Sequence, residues 1–214
     1  MAQTKDDIRL VMRSRRKQVS QERRRYTGQV IAQKVTRGKH KLVARALRVS
    51  IYLSTHEEIP TRYIARALWG AGKGVCVPAW SPFDMRYQLC ELHPLMVLVT
   101  GKHSIREPLE QVPVMSWDVD AFVLPGLAFD KQGGRLGYGK GIYDDILFRA
   151  NPGALKIGIC YDWQILDDPL PLEPHDMRVD WVVSDRRMID CKGGHHDQSA
   201  TRSAEGVDFF GKQH

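Results

Sequence analysis

Residues 121–150 read AFVLPGLAFDKQGGRLGYGKGIYDDILFRA. The four residues Ala121 to Leu124 form an apolar run with the character of a buried strand. The following segment, Pro125 to Asp145, packs six glycines, three basic residues and three aspartates. YDDILFRA, from Tyr143, then has helical character. A strand that feeds a glycine-rich basic loop opening a helix is how a chain builds an anion site. Small residues let backbone N–H groups approach the anion, and the helix N-terminus adds positive potential. A plain linker does not alternate Gly with Arg, Lys and Tyr immediately before a helix.

Working outward, Thr4 is placed to cap a helix carrying Ile8, Val11, Met12 and Val19, and Ser20 restarts a second through Val30, Ile31 and Val35 to Gly38. LRVSIYL (Leu47 to Leu53) alternates as a strand, Thr61 is placed to cap a short helix ending near Gly70 or Gly72, and GVCVP is the next strand. Arg86 to Leu92 reads as a hairpin-type strand; Leu155 to Tyr161 and Asp180 to Ser184 complete the set. Strands alternating with helices predict a single three-layer α/β domain over 1–190. It has a mostly parallel wound sheet flanked by helices, N-terminal helices, and a ligand crevice at the C-terminal strand ends. The loops leaving those ends are STHEEIP after Leu53, the glycine loop after Leu124, and YDWQIL. Residues 191–214 have the polar composition of a disordered tail, in which His195 and His196 read as solvated.

Composition bounds the function. At 214 residues, 43% hydrophobic and 27% charged, the chain has the makeup of one ordinary globular domain. No apolar run approaches the roughly 20 residues that span a membrane. The N-terminus lacks an apolar signal core, so a cytoplasmic location is expected. Cys76, Cys90, Cys160 and Cys191 are scattered, without the pairing of a disulfide framework or zinc site. Net charge is +7, concentrated in Arg9, Arg13, Arg15, Arg16, Lys17, Arg23 and Arg24. That run reads as a solvated helix face, a face for a small anion, or a nucleic-acid surface. Tyr26 is its lone aromatic neighbour, which counts against single-stranded nucleic acid.

The glycine loop admits a sharper reading. Gly134-x-x-x-x-Gly139-Lys140 has the spacing of a Walker phosphate loop, but Gly141 stands where a Ser or Thr hydroxyl would reach magnesium. The Rossmann glycine spacing fails as well. A metal must therefore take its protein oxygens elsewhere, and Asp144, in the first turn of the next helix, is well placed.

Four separated blocks together resemble the 5-formyltetrahydrofolate cyclo-ligase family. They are Lys5 with Arg9, YLSTHEEIPT (Tyr52 to Thr61), PGLAFDKQGGRLGYGKGIYDD, and PLEPHDMRVDWVVSD (Pro171 to Asp185). The resemblance implies an ATP- and magnesium-dependent closure of 5-formyltetrahydrofolate to 5,10-methenyltetrahydrofolate, releasing ADP and phosphate through a phosphorylated formyl group. It implies ATP contacts from Lys5, Arg9, Arg135, Leu136, Gly137, Tyr138, Gly139, Lys140, Gly141, Ile142 and Tyr143. Lys140, Arg135 and Tyr143 would be the catalytic groups, with Lys140 in direct phosphate contact. Leu53, Glu58 and Tyr138 match folate-contacting positions, a carboxylate suiting the N–H donors of a pterin. Asp144 and Asp176 match magnesium ligands, with His175 in support. Ile142 stands where the family usually has Tyr or Phe, and Asp145 where Arg is common. The implied partners are two small molecules, folate and ATP, with neither nucleic acid nor membrane, acting on a monomer. A catalytically weak folate- or nucleotide-binding regulator on the same fold is the alternative.

Overall fold

Thr4 starts the first helix by the chemistry of its side chain. Its hydroxyl accepts the Asp7 N–H at 3.2 Å, while the Asp7 carboxylate accepts the Thr4 N–H at 3.0 Å. This capping box opens α1 (Lys5–Lys17). Ser20 likewise accepts the Arg23 N–H and opens α2 (Gln21–Arg37), which Gly38 ends. Thr61 stands at the N-cap of α3 (Arg62–Gly70) but does not cap it through its side chain. Its hydroxyl donates to the Tyr52 carbonyl instead, tying the helix start to the preceding loop. The fourth α-helix among the described residues is α4 (Ile142–Phe148).

The computed structural model describes residues 3–173, 176–193 and 196–197. Its strands begin with β1 (Arg48–Ser50), β2 (Gly74–Ser81), β3 (Arg86–Glu91), β4 (Leu98–Thr100), β5 (Arg106–Pro108), β6 (Pro113–Val114) and β7 (Ala121–Leu124). They continue with β8 (Ala128–Asp130), β9 (Arg135–Leu136), β10 (Leu155–Ile159), β11 (Ile165–Leu166), β12 (Trp181–Val183), β13 (Met188–Asp190) and β14 (His196–Asp197). Apart from 191–193 and β14, the segment expected to be a tail lies outside the described residues.

Among the described residues nine strands form one sheet, in the order β14-β13-β12-β10-β7-β1-β2-β3-β6. The expectation of a mostly parallel sheet holds only at its centre. There β12, β10, β7, β1 and β2 run parallel, while β13 and β14 on one flank and β3 and β6 on the other are antiparallel. The reason lies in the connections. β2 reaches β3, and β12 reaches β13, through turns too short for the crossover that a parallel partner requires.

Period-2 alternation sends the two sides of β7 into different cores. Ala121 and Val123 join a cluster with Ile31, Val35, Ile64 and Leu68 of α2 and α3. Phe122 and Leu124 join Ile146 and Leu147 of α4, with Phe129, in a second cluster. α1 packs on neither. Its Ile8 and Met12 meet Leu127, Ala128, Leu136 and Leu170 in a separate third cluster. That cluster lies on a small sheet of order β11-β8-β9, which the glycine segment builds for itself.

This small sheet is absent from the sequence expectations, and it divides the glycines by role. Asp130, fully buried, accepts the Gly134 and Gln132 N–H groups at 2.7 and 2.9 Å and the Leu170 N–H at 2.8 Å. A Cβ on Gly134 would collide with that carboxylate. Gly134 therefore serves the β8–β9 turn, and the open part of the loop begins after Leu136.

The four cysteines are free. Burial pushes the Cys76 thiol up to about 12, Cys90 to about 11 and Cys191 to about 12. None of these three is a ready nucleophile near neutral pH. No helix among the described residues is long and apolar enough to cross a membrane.

Candidate active site

Two adjacent ridges of α1 organise the site. Ile8, Met12 and Arg16 are its buried residues, one helical turn apart. Lys5, Arg9 and Arg13 form the neighbouring line at the same spacing. Because the apolar ridge docks on the β8–β9 hairpin, the basic ridge is laid along the glycine loop.

Contacts run down that ridge in order. Lys5 Nζ lies 2.8 Å from Asp176 Oδ2 and 3.0 Å from Glu173 Oε1. The hydrogen bond to Asp176 raises the pKa of the Lys5 ammonium above its ordinary value. Arg9 donates through Nε to the Gly137 carbonyl at 3.1 Å and pairs with Asp6 at 2.7 Å. Its Nη2 would stand 3.4 Å from a Cβ at Gly139, a residue whose φ of +83° favours glycine. The Arg13 and Arg16 guanidinium carbons lie 5.2 and 5.7 Å from the Tyr138 ring centre, within cation–π range.

Arg135 anchors the other side of the loop. Its side chain is 5% exposed and its Nη2 pairs with Asp144 Oδ1 at 2.6 Å. Its Nε is buried with no hydrogen-bond partner among the described residues. A buried guanidinium with one N–H unanswered is the local condition an incoming anion satisfies. Tyr143 lies beside it, the guanidinium 5.9 Å from the ring centre. Burial first, and the Glu58 charge after it, hold the Tyr143 hydroxyl well above its ordinary pKa, so it stays a neutral donor. Lys140 is exposed and forms no hydrogen bond or ion pair within the described residues. His103, on the turn between β4 and β5, has its pKa lowered by desolvation and then by the charges of Lys140 and Lys102.

Glu58 is held from two sides. The Thr55 N–H donates to its Oε2 at 2.9 Å, and Arg16 Nη2 stands 3.8 Å from its Oε1. Leu53 and Glu58 line a cavity of about 650 Å³ that also takes in Trp69, Arg25, Arg62 and Arg106. No residue of 125–145 lines it.

The structure thus brings Lys5, Arg9, Arg135, Gly137, Tyr138 and Gly139 together around one stretch of α1, with Asp144 and Asp176 each beside a cation. Leu136 is buried in the hairpin cluster and faces away from the open loop. Gly141 precedes α4 in the left-handed region, φ +65°. Ile142, expected to depart from the family pattern, packs against the second core. Asp145, the other expected departure, pairs with Arg149 one turn on, and Arg149 also holds the Tyr87 carbonyl. His175 lies outside the described residues. Among those residues no three His, Cys, Asp or Glu side chains gather closely enough to hold a metal. Sequence reasoning missed Arg16, hidden in a run of four basic residues out of five; the signal was its place one turn beyond Ile8 and Met12.

A basic glycine loop beyond the carboxyl end of a central parallel strand places the protein among α/β proteins built to receive an anionic ligand. The chain belongs to the 5-formyltetrahydrofolate cyclo-ligase family, whose model matches residues 1–185. It is 31% identical over 186 residues to the 5-formyltetrahydrofolate cyclo-ligase of Escherichia coli K12, covering 83% of this chain and 98% of that one. The Mus musculus 5-formyltetrahydrofolate cyclo-ligase is 30% identical over 201 residues, covering 84% and 92%. In three dimensions the chain is similar to 5,10-methenyltetrahydrofolate synthetase of Aquifex aeolicus. The TM-score is 0.76 at 26% identity, covering 94% of this chain and 99% of that one.

Proposed function

We propose that the protein closes 5-formyltetrahydrofolate to 5,10-methenyltetrahydrofolate at the expense of ATP. The formyl oxygen takes the γ-phosphoryl group and ADP leaves. N10 then attacks the formyl carbon and loses its proton to solvent, and the C–O bond breaks to release phosphate. The observation that carries this reading, within the family assignment, is Lys140. It is a cation without a partner among the described residues, on an open glycine loop flanked by Arg9 and the half-satisfied Arg135.

In this reading Lys140 meets the transferring phosphoryl group, while Arg9, Lys5, Arg135 and the backbone N–H groups from Gly137 to Tyr143 bind the nucleotide phosphates. The neutral Tyr143 hydroxyl donates to an anionic oxygen. Tyr138, Leu53 and Glu58 bind the folate, Glu58 accepting N–H donors of the pterin. Residues 1–190 carry the reaction in a cytoplasmic monomer. The assay is direct, because the methenyl product absorbs near-ultraviolet light that the formyl substrate does not. An absorbance gain requiring ATP, magnesium and 5-formyltetrahydrofolate together is expected; its absence with all three present overturns the proposal.

Asp144 and Asp176 fit magnesium in donor chemistry: two carboxylates, with phosphate oxygens and water completing the set. Magnesium bound there would neutralise phosphate charge. Each carboxylate is already engaged by a cation, Asp144 by Arg135 and Asp176 by Lys5. Nucleotide phosphates compete for those two cations and lift that ion pairing from both carboxylates, while Asp176 keeps the Glu173 N–H at 2.7 Å. Manganese affinity, followed by electron paramagnetic resonance, should therefore rise roughly tenfold or more when a non-hydrolysable ATP analogue is present, beyond the metal that the free analogue binds. Equal affinity with and without the analogue contradicts the exchange.

A further inference from the structure

Arg16 is the most deeply buried cation of α1, 3% exposed, yet it has no tight ion pair. Its Nε donates to the Glu57 carbonyl at 3.3 Å and its Nη1 to the Gly126 carbonyl at 3.5 Å. These carbonyls belong to the loop after β1 and the loop after β7, two of the three loops at the carboxyl edge of the sheet. The third loop reaches the same point, since Gln164 Nε2 donates to the Gly126 and Leu127 carbonyls at 3.1 and 2.7 Å. The guanidinium carbon stands over the Tyr138 ring, 5.7 Å from its centre.

The separation from Glu58 is informative. At 3.8 Å, Arg16 Nη2 favours the ionised carboxylate by its charge but is too far to occupy Oε1 with a hydrogen bond. Oε2 is already taken by the Thr55 N–H. One oxygen is thus fixed in place, and the other accepts no hydrogen bond among the described residues, on a side chain that lines the cavity. A buried charge is costly to desolvate, and a lysine or a neutral donor would satisfy one carbonyl more cheaply. What only the planar fork of arginine supplies is simultaneous contact with two loops, a carboxylate and an aromatic face.

We infer that Arg16 is a positioning residue for the folate side of the reaction. It sets the distance between Oε1 of Glu58 and the Tyr138 segment of the glycine loop. The inference rests on the reading of Glu58 and Tyr138 as folate contacts. Arg16 acts through them, so its loss moves the folate relative to the nucleotide without touching either.

The test compares Arg16→Lys and Arg16→Gln with the wild type. In both, the KM for 5-formyltetrahydrofolate should rise roughly ten- to hundredfold, the cost of misplacing a bound substrate by about an ångström. The KM for ATP should rise by a clearly smaller factor, because Arg16 meets the nucleotide side only through the Tyr138 segment, and general loosening of the fold does not produce such a split. Arg16→Lys, which keeps the charge and loses the fork, should recover only part of the loss seen in Arg16→Gln. Combining Arg16→Lys with Glu58→Gln should cost less than the sum of the two, because both act on one contact. If a variant melts below the assay temperature, equilibrium dialysis of the folate and of an ATP analogue in the cold gives the same comparison. An unchanged folate affinity, or equal losses for folate and nucleotide, overturns the role of Arg16 while leaving the cyclisation reading intact. Absence of turnover in the wild type overturns the cyclisation reading itself.

Discussion

Lys140→Ala is expected to lower kcat by at least about 10³-fold, the upper range for removing one preorganised charge from a transition state, and to leave the melting temperature unchanged. The two halves of that expectation have separate grounds. Lys140 is exposed and forms no hydrogen bond or ion pair with any described residue, so the folded state loses nothing when it is shortened. In the proposed reaction the phosphoryl group in flight carries spreading negative charge, and Lys140 is the loop cation with no partner among the described residues, while Arg9 and Arg135 are tied by existing bonds. Turnover measured by product absorbance, alongside a thermal melt, tests both. Near-normal turnover refutes the assignment of Lys140, and a large drop in melting temperature would show that the side chain is structural.

Asp144→Asn should behave in the opposite way. The Arg135 side chain is 5% exposed and Asp144 30%, and removing the charge leaves a buried guanidinium with a poor partner. Breaking such a pair from one side costs about 3 kcal/mol here, the low end for buried pairs because Asp144 keeps some contact with water. For a chain of this size that is a fall of roughly 6–12 °C in melting temperature. Activity should fall with it, and high magnesium should not restore the lost turnover if Asp144 is a metal ligand. The discriminating result is the coupling. An analogue of ATP should stabilise wild type more with magnesium than without, and Asp144→Asn should lose that difference. A variant that keeps both the wild-type melting temperature and the magnesium effect contradicts the role given to Asp144.

Parts of this architecture can be read directly from the chain because their causes are local. Ala121 to Leu124 is an uninterrupted apolar run, and it is β7 residue for residue. Thr4 with Asp7, and Ser20 before Gln21, are caps whose side chains act within one turn. The remainder depends on partners far away in sequence. The β8–β9 turn closes on Asp130, whose third donor, the Leu170 N–H, comes from 40 residues on. Nothing near Gly133 and Gly134 distinguishes such a turn from an open phosphate loop. Thr61 has the residue type of a cap, but the carbonyl of Tyr52, nine residues back, claims its hydroxyl. Arg13, Arg15 and Arg16 look alike in the chain, and only the docking of Ile8 and Met12 decides which of them is buried. The hairpin strand β3 is legible in the chain, whereas the antiparallel setting of β6, β13 and β14 is not, for a different reason. Strand character is visible in a short run, whereas strand direction is set by the length of the connection.

The packing of α1 on the hairpin cluster, away from both faces of the large sheet, has a bearing on how the molecule breathes. Only Ile8 and Met12 give α1 an apolar hold. The sheet strands are sealed on both sides by the two larger clusters. Such an element opens in local fluctuations that leave the rest folded, so the amides of α1 exchange with solvent water sooner than those of β7. If the basic ridge binds phosphate as proposed, every bound phosphate is a weight on the closed side of that equilibrium. Nucleotide would then act as the second half of the helix's own anchorage, and slowed hydrogen exchange along Lys5–Lys17 is the expected trace.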